Sequence, residues 1–517
     1  YQRLRPSYGG FQTPSQAMEI QFSILLTTFL LLLPILIIKH YKRSNPYQKL
    51  PPSPWKLPFL GNLHHMGSLP HISLANLATK CGPLMHLKLG QRSAIVVSSP
   101  QLAKEMMKTH DLTFANRPQL SVAKIMFYDC QDIGFSPYGD YWKQIRKICV
   151  MELLSTKNVT SFFPMMVDEV SRLVSSIKAT AGLTPINLSE KMYLSTSAII
   201  CRASVGRTCK DQESVIMLME QVASFAGVFN AVDLFPSLKI LHFISGAKRK
   251  LLQMHRKVDP VLEKIIHEHE TDQLATEPVA KDLVDVLLSL QNSHDFQIPI
   301  TRDTIKAIIL DMFVAGTATS STVLEWAMSE LMKNPSMMEK AQTEVREAFN
   351  GKTTIDQSDL KELKYLKMVI KETLRFHPPG PLSIPRESRQ QCEINGYTIP
   401  DKTIGIVNMW ALGRDSEYWA EPEKFEPERF NKSPLDVNGN HFQFIPFGAG
   451  RRICPGINFS MASMELTLAN LLCHFDWKLV NGVSPQELDM TVNFGNVAGR
   501  KNSLYLAASP FVQQHEG

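Results

Sequence analysis

The segment Phe447-Gly448-Ala449-Gly450-Arg451-Arg452-Ile453-Cys454-Pro455-Gly456 sets one cysteine among glycines and arginines, directly before a stretch, Ile457 to His474, with a helical pattern. The spacing puts Cys454 at a helix start, with Pro455 at the favoured first position. A helix N-terminus stabilises a thiolate through its dipole and free N–H groups, and the glycines permit a tight loop with amides turned toward the sulfur. A low-pKa thiolate in such a loop is a metal ligand or a nucleophile. No Ser/His/Asp-type partner motif surrounds it, which disfavours the nucleophile. Arg452 is placed to pair with a nearby anionic group. The other cysteines (Cys81, Cys130, Cys149, Cys201, Cys209, Cys392 and Cys473) form no CxxC pair and no disulfide framework, and they read as reduced, mostly buried thiols.

A long helix is predicted from about Arg302 to Lys333, started by Thr301 and Asp303 and ended by Asn334-Pro335. At 1.5 Å per residue it would be roughly 48 Å long, enough to cross a large domain. Ile305, Ile308, Ile309 and Met312 form its apolar stripe. In its middle lies Ala315-Gly316-Thr317-Ala318-Thr319-Ser320-Ser321-Thr322, a run of small residues and poor helix formers. Such a run lets something flat approach the backbone closely, or else forms a seam for packing a neighbouring helix.

The cysteine segment matches, at every fixed position, the haem-binding signature Phe-x-x-Gly-x-Arg-x-Cys-x-Gly, and the chain thereby resembles the cytochrome P-450 family. That resemblance implies the family's fold, mainly α with small β-sheets, and a haem b iron held by Cys454, with Phe447, Gly448, Arg452 and Gly456 around the cofactor. Glu372-Thr373-Leu374-Arg375 resembles the family's Glu-x-x-Arg motif, and its spacing puts both side chains on one helix face. Pro427-Glu428-Arg429-Phe430 resembles the segment whose arginine completes that buried ion network, so Glu372, Arg375 and Arg429 are expected to be structural. Trp142-Lys143-Gln144-Ile145-Arg146-Lys147 resembles the helix that meets the haem propionates. Trp142 and Arg146 share one face toward them; Lys143 and Lys147 share the adjacent face, open to solvent or to an acidic redox partner. Arg386 and Arg452 are further propionate contacts implied by the resemblance.

On the long helix the family pattern is Ala/Gly-Gly-x-Asp/Glu-Thr. Gly316 and Thr319 match, but Ala318 stands where the acid should be, and an alanine can neither carry nor order a proton. A substrate hydroxyl or water fills the gap, or the enzyme is slower and leaks peroxide, or the chemistry is a rearrangement that is not an oxygenation. The resemblance also implies a substrate pocket from Phe127, Phe225, Phe229, Ile308, Val314, Ala315, Leu382, Ser383, Ile384, Phe494 and Val497. This largely apolar set suits a lipophilic substrate. Phrases such as Pro137-Tyr138-Gly139-Asp140-Tyr141-Trp142 and His474-Phe475-Asp476-Trp477-Lys478 resemble the plant microsomal (A-type) branch that includes terpene hydroxylases. The expected activity is NADPH-dependent oxygenation of a terpenoid, with NADPH–cytochrome P-450 reductase as partner and dioxygen as co-substrate. An alkaloid or phenylpropanoid oxidase is the alternative within the fold. A haem-binding protein or an NADPH-independent isomerase is the alternative outside it, given Ala318.

The positioning elements follow one another without a linker or repeat. Residues 1–17 are polar and patternless and read as a leader or artefact before Met18. Residues 18–38 read as a transmembrane anchor, since the Ile20–Ile38 run holds 19 residues, near the length that spans a bilayer. Residues 39–56 form a basic, then proline-rich hinge, with Lys39, Lys42, Arg43 and Lys49 ahead of Pro51-Pro52-Ser53-Pro54. The positive-inside rule then puts the catalytic domain, 57–517, on the cytosolic face of the endoplasmic reticulum membrane, with a single pass. Strand-like runs are predicted at Leu84–Leu89 and Ser93–Val97, and a hairpin on the Asn395-Gly396 turn. The net charge of +6 is too mild and dispersed for nucleic acid.

Overall fold

A computed structural model describes residues 49–206, 215, 218–219, 221–222, 231–238, 246–272, 282–292, 298–349, 352, 355–495 and 497–511. The expected leader and anchor lie outside these residues, as do Phe225 and Phe229. One compact unit runs from Pro51 to Gly517. The proline run expected to belong to the hinge docks on this unit: the Pro52 carbonyl accepts from the His86 amide at 2.8 Å, and the Asn62 side chain donates to the carbonyls of Pro54 and Trp55 at 3.2 and 3.0 Å.

The unit is mainly helical with small sheets. Its principal helices are α1 (Pro70–Cys81), α2 (Asp140–Cys149), α3 (Thr156–Lys178), α4 (Leu188–Val205), α5 (Ala247–Asp272), α6 (Leu283–Asn292), α7 (Arg302–Lys333), α8 (Pro335–Ala348), α9 (Lys364–Phe376) and α10 (Ile457–His474). The strands are β1 (Leu84–Leu89), β2 (Arg92–Val97), β3 (Ile186–Asn187), β4 (Arg386–Glu387), β5 (Cys392–Ile394), β6 (Tyr397–Ile399), β7 (Ile404–Val407), β8 (Phe475–Leu479), β9 (Val492–Phe494), β10 (Ala498–Arg500) and β11 (Tyr505–Pro510). The largest sheet has the order β1-β2-β7-β4, with β2 and β7 parallel and Ala94 opposite Ile404. The β5–β6 hairpin turns on Asn395 and Gly396, both with positive φ (49° and 72°), the backbone that an Asn-Gly turn of this kind requires.

Helix α7 has the bounds its sequence signals predict. The Thr301 hydroxyl accepts from the Thr304 amide at its start, and Asn334 followed by Pro335 stops it. Among the described residues it is the one helix long and apolar enough to cross a membrane, yet most of it is buried inside the protein, as befits the central helix of a core. Trp326, near its end, is fully buried, and its indole N–H donates to the Ala498 carbonyl at 3.0 Å. At Gly316 the small-residue run meets a neighbouring helix. A Cβ there would lie 2.5 Å from Ile200 Cδ1 of α4, so this glycine serves a helix-packing seam.

Candidate active site

The cysteine loop is held by its own backbone. The Cys454 amide donates to the Phe447 carbonyl at 2.9 Å, and the Ile453 amide to the Gly450 carbonyl at 3.0 Å. Gly450 has φ +65°, and a Cβ on it would sit 2.3 Å from the Met107 carbonyl oxygen, so no other residue fits. Both Asp111 carboxylate oxygens accept from the Arg451 amide at 3.1 Å, pinning the loop from outside. One expectation needs correction. Helix α10 begins at Ile457 with Gly456 as its N-cap, so Pro455 is not its first residue; Cys454, Pro455 and Gly456 form a turn ahead of it. The Gly456 amide donates to Cys454 Sγ at 3.4 Å. Burial pushes the Cys454 thiol above its ordinary range, outweighing the downward pull of the Gly456 N–H and of Arg146. These two groups thus pull in the direction expected for a low-pKa thiol, and burial works against them.

Beside the loop lies a cluster of buried guanidinium groups. Arg452 donates to the carbonyls of Ala115 (2.7 Å), Ile133 (3.2 Å) and Ser136 (2.6 Å). Arg386 donates to the Ala449 carbonyl at 2.5 Å and faces Asp111 at 3.4 Å. Arg146 donates to the Ile453 carbonyl at 2.6 Å. The Trp142 ring lies under Arg452 (4.2 Å) and Arg146 (5.4 Å), while its N–H goes to the Ile133 carbonyl at 3.0 Å. A fourth member, Arg117, was not singled out from the sequence; it donates to the carbonyls of Gly134, Ile384 and Pro385. Its one sequence signal is weak, a charge in Phe114-Ala115-Asn116-Arg117-Pro118 between apolar neighbours. Burial, then Arg452, Arg386 and Arg146, push Arg117 well below its usual range. Burial, then Arg386 and Arg146, bring Arg452 down to about 9. These charges repel one another, and among the described residues the carboxyls close to them are Asp111, Asp132 and Asp311. A planar group with two carboxylates on one edge would relieve the cluster.

On the other side of the core Arg375 and Glu372 form a closed pair, with both hydrogen bonds at 2.7 Å. Arg429 Nε joins Glu372 Oε1 at 3.0 Å. Arg375 also donates to the carbonyls of Gly413, Pro422 and Lys424, tying α9 to the segment that leads to the cysteine loop.

On α7 the Thr319 hydroxyl donates to the Ala315 carbonyl at 2.7 Å, and Ala315 and Thr319 lie one turn apart on one face. Phe127, Ile308 and Val314 belong to one apolar cluster; Phe127 and Ile308 are fully buried. Leu382 packs against a different cluster, below the β1–β2 sheet. Phe494 lies against the His71 ring at 5.4 Å. Ser383 has φ 55° and is followed by a half-exposed Ile384, while Val497 is partly exposed. The pocket residues expected from the sequence thus divide among α7 with the Phe127 segment, the Leu382 turn and the β9–β10 hairpin. Asp132 and Asp311, both carboxylates inside this region, were not anticipated.

The sequence model of the family described as cytochrome P450 matches residues 51–504. The chain belongs to the cytochrome P450 family. It is 52% identical over 503 residues to premnaspirodiene oxygenase of Hyoscyamus muticus, covering 96% of this chain and 100% of that protein. It is 51% identical to 5-epiaristolochene 1,3-dihydroxylase of Nicotiana tabacum over the same shares, and 50% identical to alstonine synthase of Alstonia scholaris over 96% and 99%. Among solved structures it matches a zebrafish cytochrome P450 with progesterone at a TM-score of 0.74 and 25% identity, over 85% of this chain and 99% of that one. This cytochrome P450 is therefore a monooxygenase of the plant A-type, resembling terpene hydroxylases. Its family implies haem, dioxygen, reductase-derived electrons and hydrophobic substrates. The residues present fit haem: a half-buried cysteine with an amide directed at its sulfur, and guanidinium groups gathered beside it that repel one another.

Proposed function

We propose that this cytochrome P450 oxygenates a hydrophobic terpenoid, using haem b and two electrons drawn from NADPH through the reductase. The observation that carries the substrate class is the pair of relatives named for premnaspirodiene and 5-epiaristolochene, each matching 96% of the chain at more than half identity. The apolar cluster beside α7 that holds Phe127, Ile308 and Val314 supports it, because a site bordered by such a core would bind by exclusion of water and leave orientation to shape. An alkaloid is the second reading, favoured by the likeness to alstonine synthase.

Cys454 would bind the iron, and Arg117, Arg146, Arg386 and Arg452 would face the propionates, with Trp142 as the platform under two of them. Haem ligated by a thiolate supplies dioxygen activation when bound. Thr319 would present its hydroxyl on the substrate side of α7, where it can hold or pass a proton. The exposed Lys143 and Lys147 on α2 offer the reductase a positive face.

The same reading puts the enzyme on the cytosolic face of the endoplasmic reticulum. Trp55 (64% exposed), Phe59 (51%) and Leu60 (47%) follow the basic run, and the Leu60 carbonyl accepts from Gly90, whose neighbour Gln91 binds the Leu234–Ser237 segment next to exposed Leu238. Exposed apolar residues gathered on one side suit a lipid surface.

Turnover in microsomes with a plant reductase, fed terpenes of several sizes and then alkaloids, tests this. Oxygenated product from a terpene, dependent on NADPH, is expected. Product from alkaloids alone would replace the substrate class, and product without NADPH would overturn the oxygenase reading.

A further inference from the structure

Asp132, buried, and Asp311, half-buried, are two carboxyl groups that the mechanism above does not use. Asp311 sits on α7 one turn before Ala315, in an otherwise apolar stretch. Its Oδ2 accepts from the amides of Ile133 (3.0 Å) and Gly134 (3.2 Å). Asp132 is fully buried; its Oδ2 accepts from the Phe135 amide at 2.9 Å, and its Oδ1 meets no partner among the described residues. The two carboxyls flank the same glycine: a Cβ on Gly134 would lie 3.1 Å from Asp132 Oδ2 and 3.4 Å from Asp311 Oδ1. Burial and the neighbouring Asp311 charge raise the Asp132 carboxyl, so the pair holds a proton more tightly than free carboxyls do.

A polar cluster that reaches the surface begins at the neighbouring residue. Gln131, next in the chain, accepts at Oε1 from Thr304 (2.7 Å) and Thr301 (3.0 Å), and the Tyr141 hydroxyl lies 2.8 Å from the Gln131 carbonyl and 3.2 Å from Thr304 Oγ1. Thr301 is exposed. In the other direction, Asp311 and Ala318 are two turns apart on one face of α7, about 10 Å along its axis, the span of a short chain of waters or of one water and a substrate hydroxyl.

We propose that Asp311, sharing a proton with Asp132, is the proton reservoir that serves Thr319 in place of the acid missing at position 318. The idea rests on the monooxygenase reading. Each turnover takes one dioxygen, two electrons and two protons to one inserted oxygen atom and one water. Asp311 gives its O–H proton toward the Thr319 hydroxyl and becomes a carboxylate. It regains a proton from Asp132, which draws on solvent through the Gln131, Thr304 and Thr301 cluster. Asp311 acts through Thr319 and is a positioning residue, not a catalytic one. Burial holds its carboxyl up at about 6, against the downward pull of the Ile133 and Gly134 amides and Arg117. Burial and Asp311 hold Asp132 well above the usual range, against Arg452. Cys130, then Tyr141 and Cys149 of α2, and Cys454 are further titratable groups coupled by charge to this pair.

The test compares wild type, Asp311→Asn, Ala318→Asp and the double variant, each checked for haem content by the absorption of its carbon-monoxide complex. Product per NADPH, peroxide release and the solvent isotope effect are followed from pH 5 to 8. Asp311→Asn is expected to lower product per NADPH about tenfold or more, with peroxide in its place, and Ala318→Asp to restore it in the double variant. Unchanged coupling in haem-loaded Asp311→Asn, or a loss that Ala318→Asp does not restore, overturns the proposal. Should Asp311→Asn not retain haem, wild type decides. Its infrared spectrum must show a protonated carboxyl band that titrates near pH 6 and its coupling must fall above that pH; a flat profile or no such band overturns the proposal. A haem-loaded wild type that consumes no NADPH with any substrate would instead fail the monooxygenase reading itself.

Discussion

Arg375 grips Glu372 with two parallel hydrogen bonds, Nε to Oε2 and Nη2 to Oε1, each 2.7 Å, and neither side chain is exposed. The pair is removed from water completely, so each charge depends on the other. Arg375→Ala is expected to leave the buried Glu372 carboxylate with the single hydrogen bond from Arg429 and that from the Glu426 amide, and to cost about 3–5 kcal/mol. Arg375→Lys will not rescue it, because an ammonium cannot make the fork that also reaches the Gly413, Pro422 and Lys424 carbonyls. Arg429→Ala removes one hydrogen bond to Glu372, not two, together with those to the Ala420, Glu421 and Lys424 carbonyls, and should cost less, about 1–3 kcal/mol. Thermal inactivation followed by haem absorbance checks the ranking; equal losses for the two arginines would refute it.

Gly316 and Ile200 fix the approach of α7 to α4. An added Cβ would stand 2.5 Å from Ile200 Cδ1, the movable end of a side chain, so the overpacking penalty should lie near the low end, about 1 kcal/mol for Gly316→Ala. Ile200→Ala in the same chain should recover most of it. A double-mutant cycle on thermal stability measures this, and a coupling of zero would mean that Gly316 is there for another reason.

What the sequence made legible was local. The bounds of α7 follow from Thr301 at one end and Asn334-Pro335 at the other, and the cysteine loop from glycines that only one backbone path explains. The Glu372-x-x-Arg375 pair is visible because its members share a helix face. The start of α10 was misjudged because a Cys-Pro-Gly turn can precede a helix as readily as open it, and the difference lies in dihedral angles that composition does not encode. Arg117, Asp132 and Asp311 escaped notice for a different reason. Each takes its altered proton affinity from what distant segments bring to it: residues 111–117, 132–136, 311, 386 and 452 meet only in the folded chain. The same holds for Leu382, which a pocket expectation groups with Ile308 but which packs under the sheet.

Arg117 offers a test of the guanidinium cluster. Its hydrogen bonds to Gly134, Ile384 and Pro385 hold three backbone carbonyls, while its charge is opposed by Arg452, Arg386 and Arg146. Arg117→Met keeps much of the volume and relieves repulsion in the chain lacking haem, but removes a charge that would face the propionates. The expected outcome is apoprotein of near-normal stability that loses haem faster, by about tenfold or more for one charge-assisted hydrogen bond. Transfer of haem to an acceptor globin gives the rate. An unchanged rate would place Arg117 outside the cofactor's reach.

His269 on α5 makes the domain sensitive to high pH. Its Nδ1 lies 2.7 Å from the Ile265 carbonyl and its Nε2 3.0 Å from Asp282 Oδ2, just ahead of α6. Burial lowers the imidazole's affinity for a proton, but the hydrogen bond and charge of Asp282 outweigh it and raise the group from 6.5 to about 9. The folded chain therefore binds this proton more tightly than the unfolded chain. The resulting stabilisation, on the order of 3 kcal/mol, is complete below pH 6.5 and is lost as pH rises through about 9. His269→Gln keeps a donor toward Asp282 without the charge. It should lower the thermal midpoint at pH 6 and converge on wild type by pH 9.5. Parallel stability curves for the two proteins across that range would show that His269 is neutral in the fold and that its contact with Asp282 is an ordinary hydrogen bond.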